Sequence, residues 1–588
     1  MTTPDTKTVP RSRITAALDA LCEALSKERP LALLLICSFA AACVFCLCMF
    51  DISFLLGTSP FWNNPRGILT NSFNDIPAAL SGYLYFQRDA WQWPLFHVDK
   101  LGAGTNIIFT DSIPWVALAG RLVFRATGVP VNLYGLWIAF CFVSSAITLT
   151  ALVATLGQRN IAAAAMATIA GLCMPALLAR WGHMSLMAQF EILLALIFYL
   201  RNQRGNKAWS LFVQGGVLMW LTLWTHAYLF AMVGAIVLAT IAQAISNRTL
   251  RGVTAALVLA GLGAMTIGIM TLSGYLQSGG SLGAEGLGVF SMNLLSPFVP
   301  QRSGLYTALR NVIADGTGGQ YEGFSYLGGG ILMLLLMTLP WQMGRLREGW
   351  RHHPWMALLF LGFTLFALSN TVFLGPVQLV HVPLPDRVLQ FAAMFRSTGR
   401  FFWPVMYSMA ALAIAAPIAF YGPRGALLLC LAIPLQWIDS APLRQALAAS
   451  ARAPEKPHID LAAWEAAIRR HNSVRVLPQN FCLASGRGWN SEVTVQLQLL
   501  AARADRPVNS VYAARISADC RAEQQINGAP QAGARQLSVF LDEFSGFARM
   551  RDLATTGNLC RTGPGLVVCS DVPAEASNLA ALTRTDRK

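Results

Sequence analysis

From residue 31 to about 440 the chain alternates apolar runs with polar segments of two unlike kinds. Eleven runs are read, at residues 31–50, 131–156, 161–179, 186–200, 209–225, 227–245, 253–272, 327–341, 355–373, 402–420 and 426–438. Several approach or exceed about 20 residues, which at ~1.5 Å of helical rise each cross a hydrocarbon core of ~30 Å. The first follows a charged leader too long for a secretory signal and lacks a small-residue cleavage site, so it predicts an uncleaved anchor.

The polar segments sort by charge. Short ones hold Arg159; Arg201, Arg204 and Lys207; Arg248 and Arg251; Arg345, Arg347 and Arg351 beside His352 and His353; and Arg424. Lys7, Arg11, Arg13, Lys27 and Arg29 precede the first run. Short Lys/Arg-rich flanks stay in the cytoplasm, which predicts residues 1–30 and every basic turn inside. The opposite segments are long and carry Asp, Glu, Trp, Gly and Pro, namely 51–130, 273–325 and 374–400, with short turns at 180–185 and 225–228. Residues 113–128 test the count, because a crossing there would turn every later basic turn outward. From Pro114 the segment holds about 15 residues, or ~22 Å of helix, so it is expected to lie in the outer headgroup plane. Arg121 and Arg125, four apart, would share one face there. The expected fold is a polytopic α-helical membrane protein of about eleven spans, N-terminus inside.

Composition agrees: 55% of the 588 residues are hydrophobic and 12% charged, against about 25% charged in soluble domains. The net charge of +15 is spread through short turns rather than along a polar stripe, which argues against nucleic acid and for anionic membrane lipid.

Beyond Asp439 the pattern changes. Residues 441–457, rich in Ala, Pro and charge, read as a linker, and 458–588 as a small α/β domain on the outer side. Residues 460–470 and 492–502 have helical spacing, while 474–478, 537–542 and 565–569 read as strands. Cys482, Cys520, Cys560 and Cys569 suggest two disulfides with the pairing open. Zinc is disfavoured, since no two of them have ligand spacing.

The first outer loop is the richest in chemistry. Asn74-Asp75-Ile76-Pro77, Tyr83 to Asp89, Trp91-Gln92-Trp93-Pro94 and Thr110-Asp111-Ser112-Ile113-Pro114 interleave carboxylates with rings and amides. Such a mixture suits sugar, because rings such as Trp91 and Trp93 stack on a pyranose while Asn, Asp and Arg bond its hydroxyls. An interfacial aromatic belt is the plainer account of the same rings. Arg396 and Arg400 enter a span from the outer side, where basic residues are unexpected, and Arg180 does the same. Each is either a phosphate ligand or a snorkelling headgroup contact. His183 and His226 stand at span mouths, where His is more often structural. Glu322 precedes a span, which makes it a functional suspect or the partner of an Arg.

The series NDIPAALSGYLYFQRDAWQWPL, GAGTNIIFTDSIPWVALAG, QYEGFSYLG and FRSTGRFF, set in this topology, resembles a bacterial family placed in the C-type (GT-C) integral-membrane glycosyltransferase superfamily. The resemblance covers residues 31 to about 440 and the tail more loosely. It implies a polyprenyl-phosphate-linked sugar donor and a glycan, lipid or protein acceptor at the periplasmic face. Asp75 matches the superfamily's acidic residue in the first outer loop and is the expected base, with Asp111 and Asp51 as competitors. Asp111 also has the plainer reading of a helix cap before Pro114. Arg396, Arg400 and Arg180 are the expected phosphate ligands, and Trp91, Trp93, His183 and Glu322 the expected substrate contacts. No cofactor is expected. Some superfamily members use a divalent cation, yet Asp75, Asp111 and Glu322 form no local ligand motif. A flippase of lipid-linked saccharides or a non-enzymatic envelope assembly protein would share the topology. The first would usually show repeated halves and mid-span charges, of which Glu191 is the exception here.

Overall fold

The computed structural model describes residues 13–65, 75–203, 205, 207–277, 287–306, 315–453, 456–484, 488–514, 519–525, 534–556, 559–572 and 578–586. Lys7, Arg11, Asn74, Arg204 and parts of the 273–325 loop and the tail lie outside them.

A helix occupies each of the eleven apolar runs. Among the described residues, seven helical segments are long and apolar enough to cross a membrane: Leu31–Met49, Tyr134–Thr155, Ile161–Leu178, Met184–Asn202, Ala227–Ser246, Gly252–Ser273 and Thr398–Asp439. Ala208–Leu223 and Pro354–Leu368 are shorter apolar helices, and Gly329–Met337 is shorter still. Thr398–Asp439 folds back on itself at Gly422, which adopts φ 63°, so that Trp403–Tyr421 and Gly425–Asp439 lie side by side. The run at 355–373 divides as well. Its helix stops at Leu368, where Ser369 takes φ 65°, and β-branched Thr371 and Val372 open a strand, Thr371–Leu374, paired with Val377–His381.

Tyr134–Thr155 sits at the centre, against Leu31–Met49, Ile161–Cys173 and Phe190–Asn202. Burial differs widely among the helices. The Ile161–Leu178 segment is 83% buried, whereas Gly252–Ser273, apolar all round, is 17% buried and exposes Val253, Leu257 and Ile267. Such a surface is stable only in an apolar solvent, so the chain is a membrane-embedded helical protein.

The segment 51–130, expected as the first outer loop, is not a loose loop. Asp75–Arg88 is a helix buried from Ile76 to Gln87, packed between Pro114–Thr127 and the C-terminal helix Trp489–Ala504. Arg121 and Arg125 share one face of Pro114–Thr127, as expected, but that face is turned toward the chain itself. Arg121 turns inward and is fully buried, with its guanidinium 3.7 Å from the Trp91 ring and 4.5 Å from Phe86. Arg121 and Arg125 both donate to the Asp89 carbonyl, at 2.8 and 3.1 Å.

The expected linker is largely a packed helix, Ala441–Arg452. Its composition suggested a tether, but Leu443, Leu447 and Ala451 recur every four residues and bury one face, and Ser450 accepts a hydrogen bond from the Trp181 indole. Beyond it, a four-stranded sheet runs Ser473–Leu477, Gln536–Leu541, Leu566–Ser570, Cys560–Gly563, the first pair parallel and the others antiparallel. Leu461–Arg470, Trp489–Ala504 and Phe547–Thr556 flank it. Cys482 pairs with Cys520, and Cys560 with Cys569 on the neighbouring strand.

Candidate functional site

Two turns, Gln320–Gly323 and Thr398–Phe402, meet backbone to backbone at the mouth of the bundle. A Cβ on Gly399 would stand 2.4 Å from the Gly323 Cα, so only glycine allows this approach. The contact sets Glu322 against Arg400. Its Oε2 accepts from Arg400 Nη2 at 2.7 Å and Nε at 3.2 Å, and from Arg180 Nη1 at 2.5 Å. All three side chains are buried. Burial alone would raise the Glu322 carboxyl, but Arg400, Arg180 and the nearby His183 outweigh it and hold it well below the usual carboxylate range.

His183, in the turn after Pro175–Leu178, extends the network. Its Nε2 lies 3.5 Å from Glu322 Oε1 and its Nδ1 3.3 Å from Asp75 Oδ2. Asp75 occupies the first turn of its helix, where unpaired backbone N–H groups favour negative charge. On its other oxygen it accepts the Tyr512 hydroxyl of the C-terminal domain at 3.2 Å.

A second pair stands alongside. His226 caps helix Ala227–Ser246 by accepting the Tyr228 N–H on Nδ1 at 3.1 Å, which leaves the proton of a neutral ring on Nε2, 3.6 Å from Asp111 Oδ1. Burial would raise Asp111, yet His226, His183 and Arg400 hold it below its ordinary value, while burial pushes His226 down against the pull of Asp111. Asp111 is not a helix cap. The helix starts at Pro114 with Ile113 at the cap position and no side-chain cap bond. Asp111 adopts φ 58°, between Thr110 and Ser112, which bond each other at 2.9 Å, and its carboxylate remains 31% exposed.

Asp75, Asp111, Arg180, His183, Glu322 and Arg400 are thus brought together from five separate segments. Arg396, four residues before Arg400, is exposed, its guanidinium 5.0 Å from the Phe290 ring and close enough for its charge to act on Tyr512. Asp51 is elsewhere, solvent-exposed and 3.7 Å from Arg452. Trp91 is occupied by Arg121, and Trp93 is 62% exposed outside the cluster. Tyr228, whose ring faces Arg400 at 4.8 Å and whose hydroxyl accepts the Ser397 N–H, and Tyr512 were not singled out by the sequence. Nothing around Tyr512 marks it beyond an aromatic in a polar domain.

Asp75, Asp111 and His183 each offer a ligand atom within 4.8 Å of the others. Two carboxylates and an imidazole suit a divalent cation, with Glu322 on the far His183 nitrogen to orient the ring. The absence of a local motif was no guide, because the three come from distant segments.

Fold and site together define a helical membrane protein whose ionic cluster lies at the bundle mouth beneath a disulfide-bonded α/β domain. Residues 39–441 match the family described as "Domain of unknown function (DUF6311)", and residues 463–571 its C-terminal domain. The chain belongs to that family. No curated protein matches it.

Proposed function

We propose that this cluster is the active centre of a GT-C type glycosyltransferase of about eleven spans in a bacterial inner membrane, which moves a sugar from a polyprenyl phosphate to an acceptor hydroxyl at the periplasmic face. The observation that carries the reading is the Asp75–His183–Glu322–Arg400 network, which sets a proton acceptor beside guanidiniums where long polar loops meet apolar helices. In the reaction, the acceptor oxygen attacks the anomeric carbon and gives its proton to Asp75. The bond from that carbon to the phosphate oxygen breaks, and polyprenyl phosphate leaves with the electron pair. Arg396, exposed and on the loop that carries Arg400, meets the departing phosphate first. Arg400 and Arg180 are largely committed to Glu322 and add positive potential behind it. Exposed apolar helices such as Gly252–Ser273 offer lipid-facing surface for the prenyl chain. Two disulfides confined to the C-terminal domain support an oxidising compartment for that side.

Asp75→Asn is the test, read by mass spectrometry of envelope glycans. A transferase loses product by about 10²-fold or more while inserting normally. A flippase instead accumulates donor on the inner leaflet, and a scaffold is indifferent. Unchanged product in Asp75→Asn removes the proposal.

A further inference from the structure

The C-terminal domain does more than adjoin the membrane part. Its segment 507–514 is laid along the first outer loop. Val508 exchanges backbone hydrogen bonds with that loop, donating to the Lys100 carbonyl at 3.0 Å and accepting from Gly102 N–H at 2.7 Å. Ala514 donates to the Phe109 carbonyl at 2.6 Å, and Val508 also bridges to Val474 at the edge of the domain's own sheet. The segment therefore joins two sheets of contacts at once, and the Cys482–Cys520 disulfide closes the stretch of chain that contains it.

Between these anchors the Tyr512 hydroxyl reaches Asp75 Oδ1 at 3.2 Å. Gln498, on helix Trp489–Ala504, fixes the geometry from both ends. Its side-chain Oε1 accepts the Tyr512 backbone N–H at 2.8 Å, and its Nε2 donates to Ser81 Oγ at 2.6 Å, further along the Asp75 helix. A carboxylate only accepts, so the phenol hydroxyl is the donor in this contact. His183 contacts the opposite oxygen, so Asp75 is gripped from the bundle on one side and from the C-terminal domain on the other.

We infer that the C-terminal domain completes the candidate active site, and that Tyr512 is the positioning residue through which it holds the Asp75 carboxylate in place against His183. The inference rests on the reading of Asp75 as the base. It assigns the domain a part in turnover rather than in acceptor capture alone.

The test uses the full chain in its own membrane, with envelope glycan yield, donor dependence and melting temperature as readouts. Tyr512→Phe keeps the ring and loses the donor. Expected is a fall in maximal product rate of about 10- to 100-fold that extra donor does not restore, with melting unchanged, because a displaced reacting group costs rate rather than binding. Gln498→Leu is expected to fall likewise. Gln496→Leu removes the bond to Asn64 in the same interface, leaves the Gln498, Tyr512 and Asp75 contacts in place, and keeps wild-type rate. A Tyr512→Phe protein as active as wild type, beside an inactive Asp75→Asn, overturns the inference and leaves the reading of Asp75 standing. Equal losses in Gln496→Leu and Tyr512→Phe overturn it too, since docking alone would then explain both. Product made by Asp75→Asn overturns the reading and this inference with it.

Discussion

Glu322 shows how much rests on single side chains at the bundle mouth. It is the common counter-charge of two buried guanidiniums, and replacing it with Gln strands both in a site that excludes water. Removing one partner of a buried ionic group costs about 3–5 kcal/mol, so Glu322→Gln is expected to lower the melting temperature in detergent by several degrees. An unchanged melt would mean that water reaches Arg180 and Arg400. Trp91 makes the opposite case. Its face is taken by Arg121, so Trp91→Ala is expected to destabilise through lost packing and cation–π contact while glycan product persists. The sequence singled out Asp75, Asp111, Arg180, His183, Glu322 and Arg400 because ionisable groups are costly beside lipid and rarely stay there without a task. Asp51 satisfied the same criterion, and Trp91 and Trp93 were singled out as rings that stack on sugar, yet all three lie outside the cluster, because position along a loop does not tell which way a side chain faces.

At the scale of elements, apolar length was the readable quantity. Each apolar run holds a helix, though 355–373 ends in a strand, since every backbone polar group in hydrocarbon must bond within its own segment. Errors gathered where composition resembles a loop but periodicity does not. The buried helix Asp75–Arg88 contains Pro77, Gly82 and Gln87, and the helix Ala441–Arg452 is rich in Ala with Arg444 and Arg452. Leu447 at the centre of the latter is fully buried. Leu447→Ala is accordingly expected to cost about 2–5 kcal/mol in a thermal or denaturant melt, where a true tether would tolerate it. The turn pair held by Gly399 is as exacting. Gly399→Ala must part it from Gly323 and carry Arg400 away from Glu322, and under the proposed function glycan yield collapses although the protein still inserts.

For the whole molecule, the decisive feature is that the C-terminal domain docks on the first outer loop through several independent contacts. Lys100 reaches both Asp505 and Asp89, Arg88 donates to the Ala502 carbonyl, and Tyr85 to that of Arg506. Loss of a native disulfide in a small domain costs about 2–5 kcal/mol, so the Cys482→Ser, Cys520→Ser pair is expected to loosen segment 507–514. Protease sensitivity there should rise before the helical part melts, and a domain that stays resistant would show that docking alone orders it.

The sequence by itself determined the membrane solvent, the helical runs and the residues that carry charge at their ends, because the length and apolarity that lipid demands are written in consecutive residues. Pairing was decided by tertiary structure alone. Arg180 and Glu322 are 142 positions apart, and Tyr512 and Asp75 are 437, and no local period links them. What sets these distances is the packing of whole helices and a glycine-to-glycine contact between turns, where displacements of an ångström separate a hydrogen bond from none.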